Sequence, residues 1–329
     1  MTLGIIDVGT NSIHLLIGII TLTGRFHVIL KEKDLTRLGE GGLSKKVLAP
    51  AAMRRAMGVL QRYAATLDRS GVDRVEAVAT SAVREAGNGR EFVRRVRRQL
   101  GLPLRIISGR EEARMVYLGV LQARRPRHPM AVINIGGGSA QVICGKGSRL
   151  LYAASVQLGG ARLTETFIRH DPATPDEVAA LRAHVRRAWA PVVRQMRRHR
   201  WSQAFGSSAT ILDLMAGVQT MSGKPMPRKK HGLTLSQSAL RTFQGWLSRS
   251  GSLERIQTAG MDPRREDLAL AAATVLLEWM EGCRIPALQY TRGSIREGLV
   301  VDYLIRHYQG KVPRIENPLV ELLGLNGKG

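Results

Sequence analysis

The sequence is short of acidic residues, so its charge is strongly unbalanced. Its 329 residues include 26 Asp and Glu against 50 Lys and Arg, which gives a formal net charge of +24. A polyanion is therefore the expected partner, and nucleic acid, polyphosphate and an anionic membrane surface all carry suitable charge. A GC-rich genome would also enrich a chain in arginine without any binding function.

Aromatic residues are also scarce, which argues against nucleic acid as the main partner. The chain has only 5 Phe and 6 Tyr, and they are not interleaved with basic residues as on RNA-binding surfaces. No spacing of Cys and His matches a zinc finger. An RNA-associated protein therefore remains a third hypothesis that rests on charge alone.

Cysteines and long apolar runs are nearly absent. Cys144 and Cys283 lie inside apolar segments, which predicts buried, reduced thiols in a reducing compartment. No run of ~18 apolar residues occurs, and the N-terminus lacks the charged region and cleavage pattern of a signal peptide. We therefore expect a cytoplasmic protein that does not bind membranes.

The sequence does contain a glycine-rich turn between two apolar runs. Residues 131–144 read AVINIGGGSAQVIC, the pattern of two strands joined by a tight turn whose N–H groups can surround an anion. Residues 4–18, GIIDVGTNSIHLLIG, align with residues 131–145 without a gap. This predicts an internal duplication with one phosphate-binding hairpin in each half.

Between and after the hairpins, helical and strand patterns alternate, which favours an α/β fold with parallel strands. A helical period runs from Pro50 to about Leu67, and a buried strand follows at 72–79. In the second half, a predicted strand at 201–205 ends in the small-residue turn GSSAT, which opens a helix. Such a helix start can bind phosphate, or it can be an ordinary N-cap.

Two carboxylates begin the helix that follows the predicted strand at 104–107. Ser108 and Glu111 have the spacing of a capping box, in which each side chain satisfies a backbone N–H of the other residue. Glu111 therefore has a structural role. Glu112 has no such role in the sequence pattern, so we expect it to be available for chemistry.

A long helix predicted from Asp176 to about His199 is rich in arginine. It carries Arg182, Arg186, Arg187, Arg194, Arg197 and Arg198. These side chains form either a groove for a polyanion or a solvated basic face, and the pattern favours the solvated face.

Six motifs occur in a fixed order along the chain. They are IDVGTNSIH at 6–14, AVATSAVR at 77–84, ISGREEAR at 107–114, IGGGS at 135–139, QLGGARLT at 157–164 and REG at 296–298. Together they resemble the exopolyphosphatase/guanosine pentaphosphate phosphohydrolase (Ppx/GppA) family of the actin-like ATPase superfamily. The resemblance covers the chain to about residue 310, and the length is similar to that of the family's short, two-domain members.

The resemblance implies two α/β domains of the ribonuclease-H-like, actin-type fold around a central cleft. The first domain would contain residues 1–125 and a closing helix at about 297–310. The second would contain residues 126–296, followed by a tail at 311–329. The implied activity is Mg²⁺-dependent removal of terminal phosphate from inorganic polyphosphate or guanosine pentaphosphate.

The resemblance also implies roles for individual residues. Glu112 would be the general base, Asp7 and Glu112 would bind the metal, and Arg84 would contact phosphate. The implied phosphate-binding residues are Thr10, Asn11 and Ser12 in the first loop, Gly136, Gly137, Gly138 and Ser139 in the second, and Ser207 and Ser208 in a third.

Three departures from the family pattern matter for activity. Asn134 and Gln141 stand where the family has carboxylates, and Ser207 and Ser208 replace paired glycines. Since Mg²⁺ prefers anionic oxygen, two amides in place of carboxylates should weaken metal binding and slow phosphoryl transfer by roughly 10³-fold or more.

Two main hypotheses remain. The chain is either an exopolyphosphatase-like hydrolase with weakly bound Mg²⁺, or a sensor that binds polyphosphate or a nucleotide without cleaving it. The sequence leaves the substrate preference and the oligomeric state open, a homodimer included.

Overall fold

The computed structural model describes residues 1–22, 24–124, 128–227 and 232–308 and the short strand Ile315–Glu316. The chain forms two compact units, which are Met1–Gln122 together with the segment from Gly293 onward, and Ala123–Arg292. We call them unit 1 and unit 2. The domain boundary predicted between residues 125 and 126 lies outside the described residues. So does the predicted tail at 311–329, apart from that strand.

Unit 1 starts with an antiparallel meander and then alternates helices with strands. Its elements are β1 (Thr2–Val8), β2 (Ile13–Ile20), β3 (Phe26–Asp34), α1 (Pro50–Arg69), β4 (Arg74–Ala79), α2 (Ser81–Glu85), α3 (Gly89–Leu100), β5 (Leu104–Ile106) and α4 (Gly109–Arg124). β1 pairs antiparallel with β2 and parallel with β4, and β4 pairs parallel with β5.

Unit 2 repeats this order with additional helices. Its elements are β6 (Met130–Ile135), β7 (Ala140–Lys146), β8 (Arg149–Val156), α5 (Gly160–Phe167), α6 (Pro175–Met196), β9 (Gln203–Ser207), α7 (Ala209–Met221), β10 (Thr234–Ser236), α8 (Gln237–Leu247), α9 (Ser252–Ala259), α10 (Ala269–Cys283) and β11 (Ala287–Thr291). A single 3₁₀ turn, Glu266–Leu268, precedes α10.

The C-terminal segment belongs to unit 1. Helix α11 (Ile295–His307) buries Leu299, Val300 and Leu304 in the core that also contains Leu3 and Ile5 of β1. Strand β12 (Ile315–Glu316) pairs parallel with β3 at the edge of the sheet. Unit 1 is therefore built from two separate stretches of chain.

The two sheets share an order of five strands, β3-β2-β1-β4-β5 in unit 1 and β8-β7-β6-β9-β11 in unit 2, which confirms the predicted α/β class. The sixth strand differs, since β12 lies beside β3 and β10 beside β11. The sheet of unit 1 is ordered β12-β3-β2-β1-β4-β5, and that of unit 2 is ordered β10-β11-β9-β6-β7-β8. Each contains the ribonuclease-H-like arrangement of an antiparallel meander beside parallel strands. The hairpins also share their register, since Asp7 faces His14 and Asn134 faces Gln141. The predicted duplication is thus present in the backbone pairing.

Several predicted bounds in unit 2 differ from the structure. The strand predicted at 201–205 is β9, which begins at Gln203, and the helix predicted to about His199 ends at Met196. Strand β10 and helices α8 and α9 were not predicted. An N-cap signal was present for α8, because the Ser236 hydroxyl accepts a hydrogen bond from the Ala239 N–H at 3.1 Å.

The cysteine prediction is confirmed, since Cys144 and Cys283 are both buried and free. Among the described residues, no helix combines the length and the apolar character that crossing a bilayer requires.

Candidate functional site

In unit 1, three predicted site residues follow the carboxyl ends of parallel strands. Asp7 is near the end of β1, Arg84 lies on α2 after β4, and Glu112 lies on α4 after β5. Because β1, β4 and β5 are parallel neighbours, their carboxyl ends meet at one edge of the sheet. The topology therefore brings the three side chains to one place.

The first phosphate loop is a tight turn, and the segment at 37–39 forms hydrogen bonds with it. The Gly9 N–H donates to the Ser12 carbonyl at 3.0 Å, which closes the turn between β1 and β2. The carbonyl groups of Thr10 and Asn11 accept hydrogen bonds of 2.9 Å from the N–H groups of Gly39 and Arg37. These hydrogen bonds hold the two carbonyl groups of the loop in place.

Asp7 is a buried carboxylate with an unusual electrostatic environment. Its side chain is 8% exposed, and its Oδ1 atom has no hydrogen-bond partner among the described residues. Burial raises the pKa of the Asp7 carboxyl to about 7, with Arg296 opposing this effect and Glu112 and Glu297 adding to it. A buried carboxylate oxygen without a partner suits a bound cation.

Glu112 forms an ion pair, contrary to the expectation that it has no structural role. Its Oε2 atom accepts a hydrogen bond of 2.9 Å from Arg84 Nη1, which also donates to the Ile107 carbonyl at 3.1 Å. The predicted contact of Arg84 with phosphate stays a prediction, and its observed side-chain partner is Glu112. The sequence did not show this pair, because the two residues are far apart in the chain and adjacent only after β4 and β5 pair.

The predicted capping box at the start of α4 is confirmed. The Ser108 N–H donates to Glu111 Oε2 at 2.9 Å, and the Glu111 N–H donates to Ser108 Oγ at 3.1 Å. The Glu111 carboxylate therefore has a structural role as part of the helix cap. Glu112, the next residue in the same turn, is the buried member of this acidic pair at 4% exposed.

Arg296 and Glu297, which the sequence analysis did not assign to the site, begin α11. Ser294 and Glu297 form a second capping box, as the spacing of Ser and Glu could have indicated. A Cβ atom on Gly298 would lie 1.8 Å from the Met115 carbonyl oxygen of α4, so only glycine allows this contact. The close packing keeps the first turn of α11 beside α4, and Arg296 lies near enough to lower the pKa of Asp7.

In unit 2, the second phosphate loop is anchored by the first turn of α5. The N–H groups of Gly160 and Arg162 donate to the carbonyls of Gly136 and Gly137, each at 3.0 Å, and Arg162 Nε donates to the Gly138 carbonyl at 2.9 Å. No backbone acceptor faces the N–H groups of Gly137 or Gly138 within the described residues. These N–H groups can therefore bind an anion.

Gly159 makes that anchoring possible. A Cβ atom at this position would lie 2.3 Å from backbone atoms of Gly137 and Gly138, a distance that no side chain permits. This contact explains the first glycine of the QLGGA segment in physical terms.

The two amides of this hairpin donate hydrogen bonds to serine hydroxyls. Asn134 Nδ2 donates to Ser207 Oγ at 3.3 Å, and Gln141 Nε2 donates to Ser139 Oγ at 2.8 Å and to Ser155 Oγ at 3.0 Å. Both side chains are buried. A carboxylate could not donate in this way, so the amides give this hairpin a different hydrogen-bond pattern from that of an acidic pair.

The third predicted loop contains a strained serine. Ser208 is the N-cap of α7, and its hydroxyl accepts a hydrogen bond of 3.2 Å from the Ile211 N–H. Its φ of 115° and ψ of 157° fall in a region that is nearly exclusive to glycine. Ser207, at the end of β9, is fully buried.

Arg265, which sequence reasoning missed, lies against the first turn of α7. Its Nη2 atom donates to Thr210 Oγ1 at 3.2 Å, and its Nη1 atom lies 2.9 Å from Asp213 Oδ2. Its buried Nε atom has no partner among the described residues. The sequence carried no signal for this contact, which connects the segment before α10 to α7.

The two units differ in their fit to the implied Mg²⁺ ion. In unit 1, the unpartnered Oδ1 of Asp7 and the neighbouring Glu112 match a site in which one or two carboxylates hold the ion and substrate and water complete its shell. The loops of unit 2 offer no carboxylate, because amides stand at 134 and 141. Within the described residues, no group of three or more acidic, His or Cys side chains could hold a metal.

Comparisons with known proteins agree with the motif resemblance. A sequence model of the Ppx/GppA phosphatase family matches residues 19–307. The structure is similar to an exopolyphosphatase from Cytophaga hutchinsonii, with a TM-score of 0.84 and 29% identity over 95% of this chain and 100% of that one.

Two structures from Aquifex aeolicus are also similar. A Ppx/GppA family member has a TM-score of 0.76 and 29% identity over 94% of this chain and 99% of that one. A PPX-GPPA enzyme has a TM-score of 0.75 and 30% identity over 92% of this chain and 99% of that one.

Proposed function

The chain belongs to the Ppx/GppA phosphatase family, and we propose that it hydrolyses the terminal phosphoanhydride bond of inorganic polyphosphate or guanosine pentaphosphate. In this reaction a water oxygen bonds to the terminal phosphorus and the bond to the bridging oxygen breaks. The products are orthophosphate and a chain that is shorter by one phosphate.

The observation that carries this proposal is the pair of buried carboxylates beside the first phosphate loop. Asp7 and Glu112 interact electrostatically at the edge of the sheet where the Gly9–Ser12 turn lies. Glu112 would accept the proton of the attacking water, and Arg84, bonded to it at 2.9 Å, would fix the orientation of its carboxylate. Thr10, Asn11 and Ser12 would bind phosphate oxygens.

Mg²⁺, when bound by Asp7 and Glu112, would neutralise charge on the phosphate oxygens. In unit 2, the N–H groups of Gly137 and Gly138 would bind phosphate oxygens, with the hydroxyls of Ser139, Ser207 and Ser208 as neighbouring donors. This part of the proposal rests on hydrogen bonding and needs no metal in unit 2.

Phosphate release from long-chain polyphosphate and from guanosine pentaphosphate, each with Mg²⁺, tests the proposal. We expect release from at least one substrate and a loss of at least about 10²-fold in Glu112→Gln. Glu111→Gln is the matched control, because glutamine also completes a capping box and the variant should keep its turnover. Loss of turnover in both variants would show that the helix end, rather than the base, was disturbed.

A second candidate function, a sensor that binds without cleaving, is favoured by the amides at 134 and 141. Their hydrogen bonds to Ser139, Ser155 and Ser207 fill the positions where the family has carboxylates. No release from either substrate, together with binding that weakens as salt is added, would support the sensor and contradict the hydrolase.

A further inference from the structure

An open depression lies at the edge of unit 2 opposite the phosphate loops. It has a volume of about 620 Å³ and is lined by Arg197, His199, Arg200, Trp201, Cys283 and Arg284. This volume is within the range of ordinary ligand sites. We call it the arginine depression.

The arginine depression is separate from the candidate active site. Residues 197–201 connect α6 to β9, and Arg284 lies between α10 and β11. β9 and β11 are parallel neighbours, so both segments lie at the amino ends of the strands. The phosphate loops follow the carboxyl ends, and Ser207 lies six residues beyond Trp201, which is about 20 Å of extended chain.

The acidic residues nearest to the depression in the sequence are few and already paired: Glu281, three residues before Arg284, lies 2.9 Å from Arg241. From Val178 to Leu212 the chain contains neither Asp nor Glu. Arg182 and Arg186, earlier on α6, bind Glu278 of α10. In the part of the chain that the structure describes, Arg197, Arg200 and Arg284 have no ion pair and no side-chain hydrogen bond.

Basic residues often stabilise helix C-termini, which is the alternative explanation for this cluster. Arg197 and Arg284 are the C-cap residues of α6 and α10. Neither guanidinium bonds a terminal carbonyl, however, and Arg284 has φ 56° and ψ 45°, a left-handed conformation that favours glycine. The left-handed backbone itself caps the helix, because the Ile285 N–H donates to the Met280 carbonyl at 2.8 Å. Glycine would serve this cap with less strain, so capping does not explain why the residue is arginine.

The remaining lining residues complete a surface for an anion. The His199 ring stacks on Tyr152 with ring centroids 6.3 Å apart, which holds its orientation. Trp201 offers an aromatic face. Burial raises the pKa of the Cys283 thiol to about 12, so this side chain adds no negative charge.

We propose that the arginine depression is a second binding site for an oligophosphate anion, either a segment of an inorganic phosphate chain or the phosphate tail of a nucleotide. The three guanidinium groups bind phosphate oxygens, and Trp201 packs against the rest of the ligand. The proposal rests on the charge and shape of the depression and does not require the chain to hydrolyse its ligand.

Titration with inorganic tripolyphosphate in EDTA, by calorimetry and tryptophan fluorescence, tests the site without turnover. We expect Arg200→Ala and Arg284→Gly each to weaken one class of binding site by about tenfold. The fluorescence change should disappear in Trp201→Phe, since Trp189 and Trp279 are buried in the core and the fourth tryptophan, Trp246, stacks on Phe243 of α8 and does not line the depression.

Arg198→Ala is the matched control, because Arg198 is the exposed neighbour that does not line the depression and its loss changes the net charge equally. Arg284→Gly should also raise the melting temperature by relieving the left-handed strain, which separates lost binding from lost folding. If both depression variants bind tripolyphosphate as Arg198→Ala does, the proposal is wrong.

Parallel titration with GTP distinguishes the two sources of the anion. Tighter binding of GTP than of tripolyphosphate, lost in Trp201→Ala, identifies a nucleotide, while equal affinities identify a phosphate chain. If single-stranded RNA displaces tripolyphosphate at equal phosphate concentration, the assignment to oligophosphate is overturned.

The outcomes are also separable from those of the hydrolase assay. Binding that depends on Arg200 and Arg284 without phosphate release contradicts the proposed function alone. If the protein releases phosphate, and Arg200→Ala and Arg284→Gly bind tripolyphosphate as tightly as Arg198→Ala does, only the proposal of a second site is contradicted.

Discussion

Ser208 has a backbone conformation that is sterically unfavourable for any residue with a side chain. Its φ of 115° belongs to the region where a Cβ atom is strongly disfavoured, and such residues cost about 1–3 kcal/mol. The hydroxyl offsets only part of this cost by capping α7 through the Ile211 N–H. The serine therefore stands where glycine would fit better, which agrees with the paired glycines of the family pattern.

We predict that Ser208→Gly stabilises the protein. Glycine relieves the strain and is itself an acceptable N-cap, so the free energy of unfolding should rise by about 1–2 kcal/mol and the melting temperature by a few degrees. Ser222→Gly at the other end of α7 is the control, because Ser222 has a φ of −84° and no strain to relieve. Equal melting temperatures for wild type and Ser208→Gly would contradict this account.

Asp7 is also in an unfavourable state, because burial disfavours the charge of its carboxylate. Since the pKa of this buried carboxyl is raised from 3.8 to about 7, the folded state binds its proton more tightly than the unfolded state does. Its favourable contribution is therefore complete below pH 3.8 and is lost as the pH rises to about 7. Above that pH the folded protein contains a charge that burial disfavours.

We predict that Asp7→Asn stabilises the metal-free protein at pH 8 and has little effect at pH 4. The gain at pH 8 should reach up to about 4 kcal/mol, because the amide removes the buried charge. Urea denaturation in EDTA at both pH values measures it. Asp73→Asn should instead destabilise the protein at pH 8, because the hydrogen bond from the Thr2 N–H lowers the pKa of Asp73 and favours its charged form. A gain for Asp7→Asn that does not change with pH would rule out titration of this carboxyl.

At the scale of elements, the hairpins were the most predictable part of the chain. Turn residues and apolar alternation are patterns of adjacent residues. The duplication of β1–β2 in β6–β7 could therefore be inferred without knowing any tertiary contact. The Ser108–Glu111 cap was predictable for the same reason. Each of these features depends on residues within one turn or one strand pair.

Contacts between distant segments were not predictable from the sequence. The Arg84–Glu112 pair and the contact of Arg265 with α7 arise only when separate strands and helices pack together. The strand register, which a local pattern does not fix between parallel neighbours, decides which side chains meet at the edge. The site was therefore predicted as a set of residues, while the pairing among them required the structure.

The β6–β7 hairpin allows a direct test of its amides. We predict that Asn134→Asp with Gln141→Glu lowers stability in EDTA, because the two residues are cross-strand partners and like charges would face each other. Added Mg²⁺ should restore stability and raise phosphate release above that of wild type. The control is Asn134→Ala with Gln141→Ala, which removes the amides without adding charge. If Mg²⁺ shifts neither the melting temperature nor the rate of the acidic variant, these positions do not limit turnover.

At the scale of the whole molecule, chain connectivity separates the two units. Unit 2 is one continuous segment, Ala123–Arg292, whose core includes Trp189 and Trp279. Unit 1 needs two segments, because α11 completes the core around β1. The sequence around residue 296 identified a closing helix, yet its energetic importance follows from the side chains that it buries.

We predict that a chain ending at Arg292 keeps unit 2 folded and loses the fold of unit 1. The missing helix carries five buried core residues, Leu299, Val300, Val301, Tyr303 and Leu304. At about 1.5–3 kcal/mol each, their loss is on the order of 10 kcal/mol, which is comparable with the whole stability of a domain.

Hydrogen exchange along the truncated chain measures this, with a chain ending at Tyr308 as the control that retains α11. Amides of β6, β9 and α10 should stay protected in both chains, while those of β1 and β4 should exchange rapidly only in the shorter one. Protected β1 amides in the chain ending at Arg292 would show that the first 122 residues fold without the closing helix.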